Sequence, residues 1–233
     1  MLEVHQVNAF YGKFHALKDI SFRVGEGEVA VFLGANGHGK STLLKTICGL
    51  IPASTGHIRF HGATISHLPM HKIVEAGVVY IPEEKHLFPD LTVRENLLLG
   101  AYNKRARRER EKSYQFVYGL FPRLEERQHQ VASTLSGGER QMLAIGRGLM
   151  SHAKLMAIDE PSVGLAPIVK VEVFHKIKEI NQQQGLTIML VEQEVESSLA
   201  ISRKGFVMKD GRIVLEDESK NLTIDLIQKQ YLV

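Results

Sequence analysis

A glycine-rich segment at residues 34–42 has the residue types and spacing of a phosphate-binding loop. Its sequence, Gly-Ala-Asn-Gly-His-Gly-Lys-Ser-Thr, fits the pattern G-x-x-x-x-G-K-[ST]. Gly37 and Gly39 allow the backbone to wrap tightly, so that amide N–H groups can point at phosphate oxygens. We expect Lys40 to reach the β- and γ-phosphates and the Ser41 hydroxyl to bind Mg²⁺. The candidate phosphate-binding residues are Gly34, Ala35, Asn36, Gly37, His38, Gly39, Lys40, Ser41 and Thr42.

Two adjacent acids, Asp159 and Glu160, supply the carboxylates that a triphosphate site requires. Asp159 ends the apolar run Leu155–Asp159, which predicts a buried strand. An acid at the carboxyl end of a parallel strand emerges at the ligand-bearing edge of the sheet, where Asp159 suits Mg²⁺ through a coordinated water. Glu160 is the candidate general base for the attacking water. The alternative is an acidic N-cap pair, but the phosphate loop favours catalysis.

A second helix start, at residues 135–141, also has the features of a phosphate-receiving terminus. Ser136 is placed to cap the helix, and Glu139 follows three residues later in the position of a capping box. Gly137 and Gly138 leave the first amides uncovered by side chains. On helix statistics alone, a good cap without a ligand remains the alternative interpretation.

Apolar periodicity predicts an α/β fold that brings these segments together. Val29–Leu33 is apolar throughout, which indicates a central strand covered on both faces that runs into the glycine loop and then a helix. Strands return at Leu155–Asp159 and at residues 187–191. The helical stretch between them passes through Val171, Phe174, Ile177 and Ile180. This βαβ rhythm is typical of a mostly parallel sheet.

The remaining pattern divides the chain into a core and an inserted lobe. Up to about residue 81, short β-type runs are separated by Gly and Asn turns, and from residue 93 to 150 the apolar spacing becomes helical. We expect a single domain over residues 1–233. Its core covers residues 1–90 and 151–233, and its inserted helical lobe covers residues 91–150 and carries the second phosphate-receiving helix start.

Charge and hydropathy limit the function classes open to the chain. The net charge of +3 over 233 residues is too small a surplus to imply a nucleic-acid partner. The longest apolar stretches fall far short of the ~20 residues that span a bilayer. We see no signal peptide at the N-terminus and therefore expect a cytoplasmic location. The basic run at residues 104–112 favours a solvated helix face, with contact to lipid headgroups or an acidic partner as the alternative.

The order of these motifs resembles that of the ABC ATPase family across essentially the whole chain. The resemblance implies a P-loop NTPase (RecA-like) core with a mostly parallel sheet, an N-terminal antiparallel β-subdomain and an inserted α-helical subdomain. It also implies ATP and Mg²⁺ as cofactors, and a head-to-tail dimer formed with a second copy or with a sister ATPase subunit. In such a dimer the residues that act in trans on the opposing subunit's γ-phosphate would be Ser136, Gly137, Gly138 and Glu139. Tyr11 matches the family's aromatic residue that stacks on adenine, with simple packing as the alternative.

Three positions depart from the pattern of the broad family. Glu83 replaces the usual glutamine, Ala166 replaces the usual aspartate, and Gln193 replaces the usual switch histidine. Glu83 still offers oxygen to Mg²⁺, and Gln193 can still hydrogen-bond to the γ-phosphate or to water, so we expect activity to be retained. The three residues together resemble one subfamily, the second ATP-binding subunit of branched-chain amino-acid importers.

This resemblance implies an ATPase that couples ATP binding and hydrolysis to solute uptake. The helical subdomain would contact integral membrane permease subunits and, indirectly, a solute-binding protein, which would place the chain peripherally on the inner face of the membrane. The alternatives are the ATPase of a urea or short-amide importer, a soluble ABC ATPase acting on ribosomes or DNA, and an ATP-gated assembly factor. His38 stands where a small residue is usual, and we expect it to tune nucleotide affinity with pH.

Overall fold

The computed structural model describes residues 1–232, so Val233, the last residue of the predicted domain, lies outside the described residues. Within the described part, the larger of two sheets consists of β3 (Val29–Leu33), β6 (Val78–Ile81), β7 (Leu155–Asp159), β8 (Thr187–Glu192), β9 (Lys204–Lys209) and β10 (Arg212–Glu218). The strand order is β10-β9-β3-β8-β7-β6, and only the β9–β10 pair is antiparallel. The prediction of a mostly parallel sheet with a central β3 is confirmed.

The smaller sheet is antiparallel and lies near the N-terminus of the chain. Its strands are β1 (Leu2–Tyr11), β2 (Phe14–Val24), β4 (Thr55–Phe60) and β5 (Ala63–Thr64). Their order is β2-β1-β4-β5. Apolar and exposed residues alternate along the second half of β2, which is the pattern of a strand that buries one face.

Helices cover both faces of the larger sheet and form a separate group between β6 and β7. Their bounds are α1 (Lys40–Ile47), α2 (Met70–Ala76), α3 (Val93–Gly100), α4 (Lys104–Arg108), α5 (Arg110–Leu120), α6 (Pro122–Glu126), α7 (Gly137–Leu149), α8 (Pro167–Gln184), α9 (Val195–Ile201) and α10 (Ile224–Leu232). The group from α3 to α7 lies within the predicted helical lobe. In the part of the chain that the structure describes, no helix combines the length and apolar character needed to cross a bilayer.

The helix predicted between β7 and β8 is α8, but its buried face differs by one residue from the prediction. Phe174, Ile177 and Ile180 are buried as expected, whereas Val171 is 64% exposed. Val173 takes the buried position instead. An α-helix turns 100° per residue, so Val171 lies too far around the helix from Phe174 and Ile177 to share the whole of their face.

Alternate residues of β3 face two different hydrophobic cores. Val29, Val31 and Leu33 pack into the core that includes α7 and α8, while Ala30 and Phe32 pack into the core shared with α1 and the small sheet. The Phe32 ring stacks on Phe206 of β9 with a centroid distance of 4.6 Å. Burial on both faces explains why β3 is apolar at every position.

The carboxyl ends of the parallel strands meet at one edge of the larger sheet. Leu33 at the end of β3 is aligned with Glu192 at the end of β8, and Asp159 at the end of β7 is aligned with Val191. The loops that follow these strands therefore lie next to one another. This edge is where ligands bind in open parallel sheets.

Candidate nucleotide-binding and catalytic site

The glycine-rich loop at residues 34–39 joins β3 to α1 and forms one wall of a cavity of about 450 Å³ at this edge. Gly37 and Gly39 adopt φ values of 84° and 92°, in the left-handed region that favours glycine. A Cβ atom at Gly39 would lie 3.0 Å from the backbone oxygen of Ala16, so the position has little room for a side chain. The residues that line the cavity are Phe14, Asn36, Gly37, Gly39, Lys40, Ser41, Thr42, Glu83, Glu160, Val163 and Gln193.

Lys40 and Glu160 form an ion pair at the base of this cavity. Their Nζ and Oε1 atoms lie 3.1 Å apart, and both side chains are almost completely buried. The Lys40 ammonium also donates a hydrogen bond of 3.1 Å to the backbone oxygen of Ala35. The lysine is thus held over the loop in the position from which it can meet a phosphate group.

Asp159 accepts two hydrogen bonds from hydroxyl groups, one on each carboxylate oxygen. Ser41 Oγ donates to Oδ1 at 2.9 Å, and the Tyr80 hydroxyl donates to Oδ2 at 2.7 Å. Burial raises the pKa of Asp159 above its ordinary value, and these two hydrogen bonds oppose that rise. The predicted pair of metal-binding residues, Ser41 and Asp159, therefore lies in direct contact.

Gln193 connects Glu160 to the phosphate loop. Its Nε2 atom donates to Glu160 Oε2 at 2.6 Å and to Asn36 Oδ1 at 2.7 Å. The two predicted catalytic side chains, from loops after β7 and β8, thus share a hydrogen bond. Together with the Lys40 contact, this leaves both oxygens of the Glu160 carboxylate paired.

Glu83 brings a further carboxylate to the cavity and completes a set of oxygen donors. Burial, followed by the negative charges of Glu160, Glu84 and Asp159, raises the pKa of Glu83. A divalent cation among these groups would relieve the repulsion. Carboxylate and hydroxyl oxygens are the ligands that Mg²⁺ prefers, so Ser41, Glu83 and Asp159 fit a magnesium site in their chemistry.

The second phosphate-receiving helix start does not join this cavity within one chain. Ser136 Oγ accepts a hydrogen bond from the Glu139 N–H at 3.2 Å, and Glu139 Oε2 accepts one from the Ser136 N–H at 2.9 Å. The predicted capping box at the start of α7 is confirmed. Ser136, Gly138 and Glu139 line a different cavity of about 330 Å³. Gly137 is also separate from the phosphate cavity, beside Leu165.

Exposed aromatic side chains end β1 and begin β2, and an imidazole lies in the phosphate loop itself. Tyr11, at the end of β1, is 49% exposed, which leaves its ring free to meet a flat ligand. Phe14, three residues later, is 66% exposed and lines the phosphate cavity. The Nδ1 atom of His38 lies 3.1 Å from the backbone oxygen of Met208. The effect of His38 on nucleotide affinity stays a prediction.

Sequence reasoning missed three residues that the structure places in or next to the site. These are Phe14, Tyr80 and Glu192. Tyr80 and Glu192 carried a usable signal, because each is a polar group at or near the end of an otherwise apolar strand. A polar group in such a position is retained only where it has hydrogen-bond partners. Nothing in the sequence around Phe14 indicated that its side chain lines the phosphate cavity.

Comparison with known proteins identifies the family. Residues 17–163 match the family model described as ABC transporter. The chain belongs to the ABC transporter family. As an ABC ATPase it binds and hydrolyses ATP, and the predicted fold and enzyme class are confirmed.

Curated relatives of this ABC ATPase match it over nearly its whole length. It is 44% identical to the high-affinity branched-chain amino acid transport ATP-binding protein BraG of Pseudomonas aeruginosa, over 93% of this chain and 92% of the relative. It is 35% identical to the probable branched-chain amino acid transport ATP-binding protein LivF of Archaeoglobus fulgidus, over 95% of this chain and 94% of the relative.

Solved structures of ABC cassettes share the fold of this ABC ATPase. The ADP conformation of MJ1267, an ATP-binding cassette of an ABC transporter, superposes with a TM-score of 0.86 at 27% identity and covers 100% of this chain and 98% of that one. CbiO1 from Clostridium perfringens, part of the ABC transporter complex CbiONQ, also gives a TM-score of 0.86 at 27% identity, covering 99% and 93%. This similarity confirms the predicted ABC ATPase fold.

Proposed function

We propose that this ABC ATPase is the nucleotide-binding subunit of an importer for branched-chain amino acids. The contact of Glu160 with both Lys40 and Gln193 at the phosphate loop carries the catalytic part of the proposal. The relatives named for branched-chain amino acid transport support the choice of solute. The departures at Glu83, Ala166 and Gln193 support the same subfamily.

Hydrolysis begins when the triphosphate of ATP enters the glycine loop and meets Lys40. The backbone amides of residues 34–42, including those of Gly34, Ala35, Asn36, His38 and Thr42, surround the phosphates, and the Lys40 ammonium exchanges Glu160 for phosphate oxygens. Ser41, Asp159 and Glu83 would hold Mg²⁺, which neutralises phosphate charge when bound. The Tyr11 ring would stack on the adenine.

Glu160 then acts as the general base. Released from Lys40, its carboxylate accepts a proton from the water that attacks the γ-phosphate. Gln193 donates a hydrogen bond to Glu160 Oε2 and so keeps the carboxylate oriented while the proton is transferred. Because glutamine has no titratable group near neutral pH, this orientation does not depend on protonation of residue 193.

The catalytic site is completed by a second subunit. Ser136, Gly137, Gly138 and Glu139 open a helix that does not line the chain's own phosphate cavity. In a head-to-tail dimer, with a second copy or a sister ATPase subunit, these residues would contact the γ-phosphate held by the opposing chain. One dimer would then contain two ATP molecules, each bound by both chains.

A groove between the core and the helical lobe at residues 91–150 provides the docking surface for the membrane permease. Its volume is about 430 Å³, and Phe88, Leu99 and Tyr102, on its wall, are each about half exposed. An apolar segment of a permease subunit fits this chemistry. Through this contact the chain would lie on the cytoplasmic face of the membrane, with a solute-binding protein as an indirect partner and no nucleic acid.

The solute assignment is tested with the complete transporter, purified with its permease subunits and reconstituted in vesicles. We expect a binding protein loaded with leucine to stimulate ATP hydrolysis. The Glu160→Gln substitution should lower this stimulated rate by about 10²-fold or more, as expected for loss of a general base. Stimulation by urea or a short amide instead of leucine would contradict the solute. Full activity of Glu160→Gln would contradict the catalytic site.

A further inference from the structure

Glu192, the last residue of β8, is a fully buried carboxylate that the reaction outlined above does not use. Its Oε1 atom accepts a hydrogen bond from the Ser162 backbone N–H at 3.0 Å, and its Oε2 atom accepts one from the Ser162 hydroxyl at 3.0 Å. Oε2 also accepts a hydrogen bond from the Gln193 backbone N–H at 3.1 Å. Burial raises the pKa of Glu192, and these hydrogen bonds oppose that rise.

The partners of Glu192 belong to the two segments that carry the proposed catalytic side chains. Ser162 lies two residues after Glu160, and Gln193 follows Glu192 directly. The Glu160 backbone N–H donates to the Val191 oxygen at 2.9 Å, and Glu160 has a φ of 42°, which is uncommon for a residue with a side chain. Two tethers from the end of β8 therefore hold the bend at residues 160–162.

The capping of the next helix does not explain the buried carboxylate. The N-cap of α9 is Glu194, whose side chain accepts a hydrogen bond from the Ser197 N–H at 3.0 Å. Glu192 Oε2 accepts one long hydrogen bond, of 3.5 Å, from the Glu194 N–H at this cap, whereas its shorter contacts go to Ser162 in the loop after β7 and to the Gln193 N–H. Its contacts and the Gln193–Glu160 hydrogen bond form a closed circuit around the catalytic pair.

We propose that Glu192 is a positioning residue for ATP hydrolysis, whose carboxylate fixes the loop of Glu160 against Gln193. This inference rests on the proposed roles of Glu160 and Gln193. The circuit matters most after ATP displaces Glu160 from Lys40, because Glu160 then loses its strongest side-chain contact. From that point its placement depends on the backbone tethers and on Gln193, and a small misplacement of a general base lowers the rate strongly.

A carboxylate is required because both of its oxygens face donors. The Ser162 N–H lies on one side and the Gln193 N–H on the other. A glutamine at position 192 must turn its NH₂ group toward one of them, which leaves two donors facing each other. The near-isosteric Glu192→Gln substitution therefore tests the contact with little change in volume.

The test uses the full chain and measures steady-state hydrolysis, equilibrium binding of a fluorescent ATP analogue, and the melting temperature. We expect Glu192→Gln to lower kcat by about tenfold while KM and analogue affinity stay within about twofold, because misplacement of the general base affects the transition state alone. Glu95→Gln is the matched control: its carboxylate also accepts from a backbone N–H and a hydroxyl, both of Thr92, at 2.8 and 2.7 Å, and neither residue lines the phosphate cavity. We expect its kcat to be unchanged.

Ser162→Ala removes only the hydroxyl donor and serves if Glu192→Gln does not fold. We expect a kcat about threefold lower with an unchanged KM, since one hydrogen bond of modest strength is lost. A wild-type kcat in the folded variant, or a loss of analogue affinity as large as the loss of kcat, would overturn the inference. Glu160→Gln is measured in parallel. If it keeps wild-type turnover, the proposed catalytic site itself is wrong; if it alone is inactive, only the role of Glu192 is wrong.

Discussion

Lys40 Nζ lies 3.1 Å from Glu160 Oε1. The positive charge of the lysine that should bind the phosphates is therefore already paired with the carboxylate of the proposed general base. An incoming triphosphate competes with Glu160 for the same ammonium group, and it also meets the negative charge of the carboxylate. Nucleotide binding and release of the base are thus one exchange at a single cation.

The exchange predicts that Glu160→Gln binds ATP more tightly than the wild type. A neutral amide competes weakly for Lys40 and does not repel phosphate, so we expect the Kd to fall roughly tenfold, which corresponds to about 1.4 kcal/mol. Titration with a fluorescent ATP analogue measures it, with Glu95→Gln as a control that keeps the wild-type Kd. Weaker binding by Glu160→Gln would contradict the competition.

Tyr80→Phe should raise the Mg²⁺ concentration needed for nucleotide binding. The Tyr80 hydroxyl donates to Asp159 Oδ2 at 2.7 Å, and without it the carboxylate loses the contact that fixes its orientation toward Ser41. A hydrogen bond to a charged group contributes about 1.5–3 kcal/mol, so we expect a half-saturation shift of about tenfold. The shift is measured by titrating Mg²⁺ into the chain with the fluorescent nucleotide.

Tyr118→Phe is the matched control for this measurement. Tyr118 lies in α5, and its hydroxyl is buried and makes no hydrogen bond to Asp159 or Ser41. Its removal should leave the Mg²⁺ dependence unchanged. Equal behaviour of the two tyrosine variants would show that the Tyr80–Asp159 contact has no part in binding the metal.

Glu192 and Glu95, which each accept hydrogen bonds from an N–H and a hydroxyl, should contribute opposite pH dependences to the free energy of unfolding. Burial raises the pKa of Glu192 above 4.5, so the folded chain binds that proton more tightly and loses stability as pH rises from 4.5 to the folded pKa. The Thr92 hydrogen bonds lower the pKa of Glu95, so its contribution is present above 4.5 and is lost as pH falls toward the folded pKa.

Urea unfolding on both sides of pH 4.5, between pH 3.5 and 7, separates the two cases. As pH rises, Glu192→Gln should become more stable relative to the wild type. Over the lower part of the range, Glu95→Gln should become less stable relative to the wild type as pH rises. Parallel curves for wild type and both variants would contradict the assigned directions.

Sequence alone predicted those parts of the site that depend on local backbone geometry. The loop at residues 34–42, the acids that end β7 and the cap at Ser136 each follow from a short stretch of chain with a fixed physical requirement. The contacts of Tyr80 and Glu192 could not be predicted. They join residues 79 and 30 positions apart, and their partners are decided by the register of neighbouring strands.

The exposed position of Val171 shows the same limit for the fold. Periodicity located the helix at α8, but the width of its buried face is set by the neighbours that pack on it. The separation of Ser136 from the phosphate cavity also depends on tertiary packing. The roles of the individual site residues stay predictions.

Gly100→Ala tests how closely the helical lobe is packed. A Cβ atom at Gly100, the last residue of α3, would lie 2.0 Å from the backbone oxygen of Arg147 in α7. The two helices must separate to admit it, so we expect a loss of about 1–3 kcal/mol in the free energy of unfolding. Denaturant unfolding measures the change.

Gly119→Ala provides the opposite expectation within the same lobe. Gly119 lies inside α5, and a Cβ atom there would meet no heavy atom within 4 Å other than its chain neighbours and the backbone of its own helix. Alanine should therefore stabilise the chain by about 0.5–1 kcal/mol through its higher helix propensity. A Gly100→Ala chain as stable as the wild type would contradict the close approach of α3 and α7.

In the proposed dimer, ATP is enclosed between the phosphate loop of one subunit and the Ser136 helix start of another. Sedimentation of the Glu160→Gln chain with ATP and Mg²⁺ distinguishes such a dimer from a single subunit, and adding Ser136→Arg gives a variant that should bind ATP but not pair. We predict a species of twice the chain mass that requires ATP and is absent in the Ser136→Arg variant. A Glu160→Gln chain that has bound ATP yet sediments as a single subunit, both alone and mixed with a sister ATPase subunit, would show that ATP is not held between two chains.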